Sequence, residues 1–194
     1  AEQFFSRTLP AVEDLNDYVL SRAARLLLQV PWLPERIAGC KYDLREVGVQ
    51  HHAWVDDVLQ ELRGFSAKLT VVEMEPGNLA ILWRGALSAL SRHALDGFAK
   101  VKKCTFEGRA AMALDVQTLA NGLRGMGAPE PDMVLIEDYI KAFYTPEDAL
   151  EHWVMTHLAQ YTRAQLVALL NCMAAAGLVQ PHALKPLLQT VEEM

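Results

Sequence analysis

Cysteine is scarce in this chain. Cys40, Cys104 and Cys172 are odd in number, far apart and without any C-x-x-C pairing, which excludes a disulfide framework and a zinc knuckle and fits a reducing cytosolic setting. Long apolar runs are missing too; none approaches the roughly 20 residues that cross a bilayer. The opening Ala-Glu-Gln-Phe-Phe lacks the basic-then-apolar order of a signal peptide, and without an initiator Met it reads as an excised fragment whose position 1 need not be a natural terminus. No phosphate-binding loop, dinucleotide fingerprint or nucleophile elbow occurs. Nor is there a stretch of convincing β alternation. The pattern predicts no catalytic residues, no metal site and no cofactor.

Net positive charge is also lacking. A formal charge of −6 argues against nucleic acid as a partner, because that needs a predominantly basic face. The charge is unevenly spread: between Leu79 and Arg124 there are seven basic and three acidic residues, so the middle is basic and the flanks acidic. What the 194 residues do have is apolar side chains, at 52%, ample for a sizeable core.

Those side chains recur at helical pitch. Residues 1–10 carry no periodic signal and read as a lead-in closed by Pro10. Val12, Leu15, Val19, Ala23, Leu26 and Val30 then mark a first helix, ended by Pro31 and Pro34. A second is predicted from Asp43, with Glu46 at the capping-box position, along Leu44, Val47, His51, Val55, Val58, Leu62, Phe65, Leu69 and Val72. Glu75–Asn78 reads as a turn. The third pattern spans Leu79 to Leu123 and includes Gly97, Cys104, Gly108, Met112 and Asp115. One helix of that length would reach about 70 Å, so it is either a rod or two helices broken near Thr105. Small residues on its stripe predict a closely passing neighbour.

Gly125–Pro131 is the clearest boundary. Beyond it Asp132, Thr145-Pro146 and Thr162–Gln165 read as starts of short helices, Gly177 as a stop, and 182–192 as a last helix. The expectation is an all-α fold: an elongated bundle of about six to eight helices, with residues 1–124 as a long-helix bundle, 125–131 as linker and 132–194 as a short-helix subdomain packed on the first as one compact unit.

Three constellations bear on function. His51-His52 with Asp56-Asp57 offers two ligand types one turn apart, but a zinc site of that kind wants a second histidine at the spacing and a third ligand; the plainer reading puts His51 in the core and His52 on the surface. Cys104 beside Lys103 would need a base, and His93 lies about 16 Å away along a straight helix. The cluster Arg92, Lys100, Lys102, Lys103 and Arg109 is the candidate contact surface, suited to an acidic partner or a phosphoinositide headgroup. Its alternative is a solvated face, partly neutralised by Asp96 and Glu107. Trp54, Trp83, Trp153, Tyr139, Phe143 and Tyr144 should anchor packing, and any of them left exposed becomes an interface candidate.

Several phrases, in order, carry a resemblance. They are Lys41–Glu46 with His51 and Val55-Asp56; Ile81-Leu82-Trp83; Val101–Cys104 with Glu107–Ala110, Met112 and Leu114-Asp115; Tyr139–Tyr144; then Trp153, Tyr161 and Asn171-Cys172. Across about residues 41–175 the chain resembles the syndetin C-terminal domain family, whose parent subunit distinguishes the endosome-associated recycling protein (EARP) tethering complex from its Golgi-associated relative. The resemblance implies a non-enzymatic piece of a multisubunit tether built from helical rods, acting in recycling from endosomes to the plasma membrane. It implies as partners other tethering-complex subunits, a SNARE or a small GTPase, with peripheral contact to anionic membrane, and a cytoplasmic location on recycling endosomes and the trans-Golgi network. The competing reading is a helical hydrolase or lipid-binding domain with an inter-helix pocket, involving His51 or His93.

Overall fold

The computed structural model describes residues 2–126, 128–129 and 131–193, with side chains from Thr8 onward. Gly127 and Glu130 of the expected linker lie outside the described residues. Among the described residues the chain is all-α: nine α-helices, one 3₁₀ turn and no strand. The helices are α1 (Glu2–Leu27), α2 (Leu33–Ala38), α3 (Ala53–Thr70), α4 (Pro76–Ala99), α5 (Phe106–Gly125), α6 (Val134–Lys141), α7 (Glu147–His157), α8 (Arg163–Ala175) and α9 (Pro181–Glu192), with the 3₁₀ turn at Ala142–Tyr144.

The helix around which the others gather is α4, which packs against α1, α2, α6 and α8. Its sequence explains why: small residues let neighbours approach on several sides, where a one-sided surface helix would carry a single apolar stripe. A Cβ at Gly85 would come within 2.9 Å of the Ser21 Cα of α1, and one at Gly97 within 2.8 Å of the Ile37 Cβ of α2. Larger side chains fill the remaining space, with Phe98 edge-on to both Trp54 and Tyr42. A single apolar cluster runs from Ala24 to Val191. Polar contacts tie the later helices into it: the Tyr139 hydroxyl donates to the Gln165 carbonyl at 2.9 Å, and the Gln165 amide donates to Asp96 of α4 at 2.7 Å.

Several boundaries differ from the pattern. The first helix starts at Glu2 and passes through Pro10; proline removes one amide donor there, at an exposed position where water can satisfy the freed carbonyl. Residues 41–52 are not helical, so the Asp43/Glu46 capping box does not form. This segment's hydrogen bonds go to the start of α5 instead: Thr105 N donates to the Tyr42 carbonyl at 3.1 Å, and Leu44 N to Thr105 Oγ1 at 3.1 Å. The expected turn at Glu75–Asn78 lies one step earlier, because Pro76 takes the first position of α4.

The long third pattern is two helices. They are separated by residues 100–105, and Thr105 caps the second by accepting from Gly108 N at 3.1 Å. Thr162 and Gln165 form the reciprocal capping box, and Gly177, at φ 76°, follows α8 in the left-handed conformation that glycine adopts without strain.

Candidate functional site

The break between α4 and α5 positions the basic residues. Had the helix continued, Lys100, Lys102 and Lys103 would have fanned around a cylinder. Because residues 100–105 leave helical geometry, the three lysines instead border two neighbouring clefts, together termed the trough, each of which also takes residues from α8. One end, a cleft of about 710 Å³, is bounded by Glu35, Lys100, Lys102, Ala168, Asn171 and Cys172. The other, about 420 Å³, is bounded by Asp43, Lys103, Cys104, Glu107, Phe143 and Ala175 among others. Asn171 and Cys172 lie one turn from Ala175 on α8, so the clefts are successive stretches along the same helix.

Charge along the trough is mixed. Lys100 pairs with Glu35 across the first cleft. Lys102 and Lys103 are exposed and form no ion pair among the described residues. Asp43 and Glu107 stand on the wall near Lys103. At the far end Phe106 stacks on Tyr144 with ring centroids 5.5 Å apart, and both rings are about half exposed. Tyr144 is thus the anchor aromatic that the core leaves outside; Trp54, Trp83, Tyr139 and Phe143 are buried.

Two of the five basic candidates lie elsewhere. Arg92 is exposed on α4 but lines a different cleft, with Arg84, Asp132 and Gln160. Arg109 is not on the surface at all: it is 1% exposed. Its place on α5 explains the correction, since Arg109, Met112 and Val116 share the inward face at helical spacing. The guanidinium carbon sits 4.5 Å from the Phe143 ring centroid. Nη1 contacts Met112 Sδ and Nη2 contacts Cys172 Sγ, each at 3.7 Å, and among the described residues Nε has no hydrogen-bond partner. Burial pushes the Cys104 thiol up to about 12, with the charge of Arg109 pulling the other way, and the Cys172 thiol is raised by burial against the same opposition. Both therefore stay protonated near neutrality. Arg109 is a permanent cation beneath the thiols that floor the trough, with a π face and sulfurs where a carboxylate would be usual.

A buried cation without a counter-ion costs more than its shape returns. Arg109→Met, similar in length and apolar, is expected to leave stability unchanged or raise it by about 1–4 kcal/mol, whereas Arg109→Ala should lower it by opening a cavity. Urea unfolding midpoints of the two variants check this; a large loss in the methionine variant would show that the guanidinium stabilises the fold.

Neither histidine sits as expected: His51 is not in the core and His52 is not fully on the surface, the two side chains being 31% and 25% exposed. His51 is half-exposed and pairs with Asp56 at 3.1 Å, while His52 is turned inward onto Asp115. Asp115, fully buried, accepts from the Tyr42 hydroxyl at 2.9 Å, His52 N at 2.8 Å and Trp54 Nε1 at 3.3 Å, and its Oδ2 lies 2.9 Å from His52 Nδ1. Burial first, then the carboxylate, push the Tyr42 phenol far above its ordinary value, so it acts as a neutral donor. This cluster ties residues 42–54 to α5; Asp115, Tyr42 and Trp54 are buried within it, while the His52 side chain is 25% exposed. One signal pointed to it: Asp115 falls on the apolar stripe, where a carboxylate must be satisfied by protein donors. Nothing local pointed to the alanine wall of α8 or to Glu35 as parts of the trough.

Among the described residues no helix is long and apolar enough to cross a membrane. A family model described as "Syndetin, C-terminal" matches residues 1–192, a longer span than the resemblance over residues 41–175. Among curated proteins, the chain is 30% identical over 199 aligned residues to syndetin from Gallus gallus, which covers all of this chain and 21% of that protein. Syndetins from Mus musculus and Rattus norvegicus match at the same identity, again over the whole chain and 20% of each relative. The chain therefore spans about a fifth of the length of these relatives. No solved structure matches significantly.

Proposed function

This chain belongs to the syndetin C-terminal family, and from that membership we propose that it is a non-enzymatic docking module of a vesicle-tethering subunit, working in recycling from endosomes to the plasma membrane. The observation that carries the docking reading is the trough between residues 100–105 and α8. Its two unpaired lysines, the buried charge of Arg109 under its floor and the exposed Phe106–Tyr144 pair suit an acidic, aromatic-anchored polypeptide from another tethering-complex subunit, a SNARE or a small GTPase. A flat anionic membrane fits less well, because Glu35, Asp43 and Glu107 share the walls with the lysines and would face the lipid charge. Nothing in this mode needs a reacting group. In the cell this module would be peripheral on recycling endosomes and the trans-Golgi network, on the cytoplasmic side.

Capture from cytosol on the immobilised chain, read by mass spectrometry, tests this. Lys102→Glu together with Lys103→Glu should reduce recovery of tethering-complex subunits or SNAREs about tenfold, since each reversal turns an attraction at the rim into a repulsion. Sedimentation with liposomes should not change. Recovery equal to wild type would remove the trough as the docking site, and loss of liposome binding instead would favour the membrane.

A further inference from the structure

A cleft of about 640 Å³ lies along α4 and shares no residue with the trough. Helix α4 gives it Arg84, Leu87, Ser88 and Arg92, and Pro129 and Leu135 come to it from the approach to α6 and its first turn. On a wheel of about 100° per residue the four α4 positions fall within about 140° of one another, so they share a face. Arg84 and Arg92, eight residues apart, are separated by about 12 Å along the axis. Leu87 lies between them in that direction, so a cationic group stands at each end of an apolar floor.

These cations have few partners. Arg92 is exposed and forms no ion pair among the described residues. Its pKa is lowered by burial and then by the charge of Arg25 on α1, which places a second arginine close by. Arg25 is also exposed and without an ion pair among the described residues. Arg84 reaches Asp17 at 3.8 Å, with both side chains at least half exposed, a contact that contributes little in water. The other carboxylates at hand are engaged elsewhere: Asp96 accepts from the Gln165 amide at 2.7 Å, and Asp132 of the cleft wall accepts from Val134 N at 3.1 Å. Two like charges held side by side on different helices disfavour each other, and a carboxylate set between them replaces that repulsion with two attractions.

We propose that this cleft docks an acidic amphipathic helix of a partner protein, whose docking face carries glutamate, leucine and glutamate at positions i, i+4 and i+7. Laid along α4, such a helix holds its carboxylates about 10.5 Å apart, close to the spacing of the two arginines. One carboxylate meets Arg84, the other meets Arg92 with Arg25, and the leucine between them packs on Leu87 and Leu135. A membrane suits the cleft less well: Leu87, 8% exposed, is reached by a protruding side chain and not by a flat layer of headgroups. This site stands apart from the docking role of the trough, and its test is chosen to fail separately.

The probe is a fluorescein-labelled, alanine-rich peptide of about 16 residues, long enough to hold a helix, bearing that face once. Anisotropy on adding the 194-residue chain should show saturable binding with a Kd below about 100 µM in low salt. Arg92→Glu, at an exposed position, should weaken binding about tenfold, and one of the two probes with a single glutamate exchanged for arginine should restore it. A probe with serine for leucine should also bind about tenfold less tightly. Arg92→Gln should not lower the thermal midpoint, because it removes a like charge beside Arg25. Lys102→Glu with Lys103→Glu should leave probe affinity unchanged. No saturation by about 1 mM, wild-type affinity in Arg92→Glu, or a serine probe that binds as well would each overturn the proposal. So would a lowered midpoint in Arg92→Gln, which would make Arg92 structural, or loss of the probe in the lysine variant, which would place it in the trough. Arg92→Glu that keeps the probe but loses sedimentation with phosphatidylserine vesicles would assign the cleft to the membrane instead.

Discussion

Gly108→Ala is expected to destabilise the chain by about 3 kcal/mol or more, lowering the midpoint of thermal unfolding by about 10 °C for a domain of this size. A Cβ at this position would sit 1.7 Å from the Tyr42 carbonyl oxygen and 2.7 Å from its carbon, with Cys104 Sγ at 3.1 Å. A flexible side chain could swing away, but a carbonyl held by Thr105 N cannot move without releasing that bond. The 41–52 segment would be pushed from the start of α5, and with it Asp43 of the trough wall. Gly64→Ala is the control: it is exposed within α3 with nothing inside 4 Å of the new carbon, so it should stabilise by about 0.5–1 kcal/mol through helix propensity. A Gly108→Ala variant melting with wild type would mean that the close approach is not maintained in solution.

Removing Asp115 should be comparably damaging for an electrostatic reason. Asp115→Ala leaves the Tyr42 hydroxyl, the His52 amide and the Trp54 indole N–H without their acceptor, and unsatisfied buried groups of this kind together cost about 3–5 kcal/mol. Asp115→Asn, which keeps the shape and one acceptor oxygen, should fall between alanine and wild type. Urea unfolding followed by tryptophan fluorescence measures both, and Trp54 reports directly on the site. A loss under about 1 kcal/mol in the alanine variant would show that water replaces the carboxylate at little cost.

Both predictions concern α5 residues that the apolar periodicity placed on a buried stripe, yet their partners could not be read there. Gly108 and Asp115 fall in register with Met112, so their inward direction was legible; that they meet Tyr42, His52 and Trp54 depends on residues about 60 to 70 positions earlier in the chain. Arg109 shows the opposite failure. Its charge suggested the surface, but the first turn of α5, fixed by the Thr105 cap and the Gly108 contact, turns the side chain between Met112, Cys172 and Phe143. On α1 the pattern was real but ambiguous, since two apolar faces share the helix and Val12, Leu15 and Val19 belong to the one that α4 does not cover.

The sequence by itself determined what is local: the all-α class, the capping box at Thr162 and the stop at Gly177, because pitch, caps and backbone freedom are properties of a few neighbouring residues, while it left a rod and a break near Thr105 both open. Only the tertiary structure decided which face of α1 is inside, that Arg109 lies in the core, and that the lysines of one loop and the alanines of α8 enclose a common trough. Those outcomes depend on which helix lies against which, and packing free energy is spread over contacts between segments distant in the chain, so no short window of residues contains it.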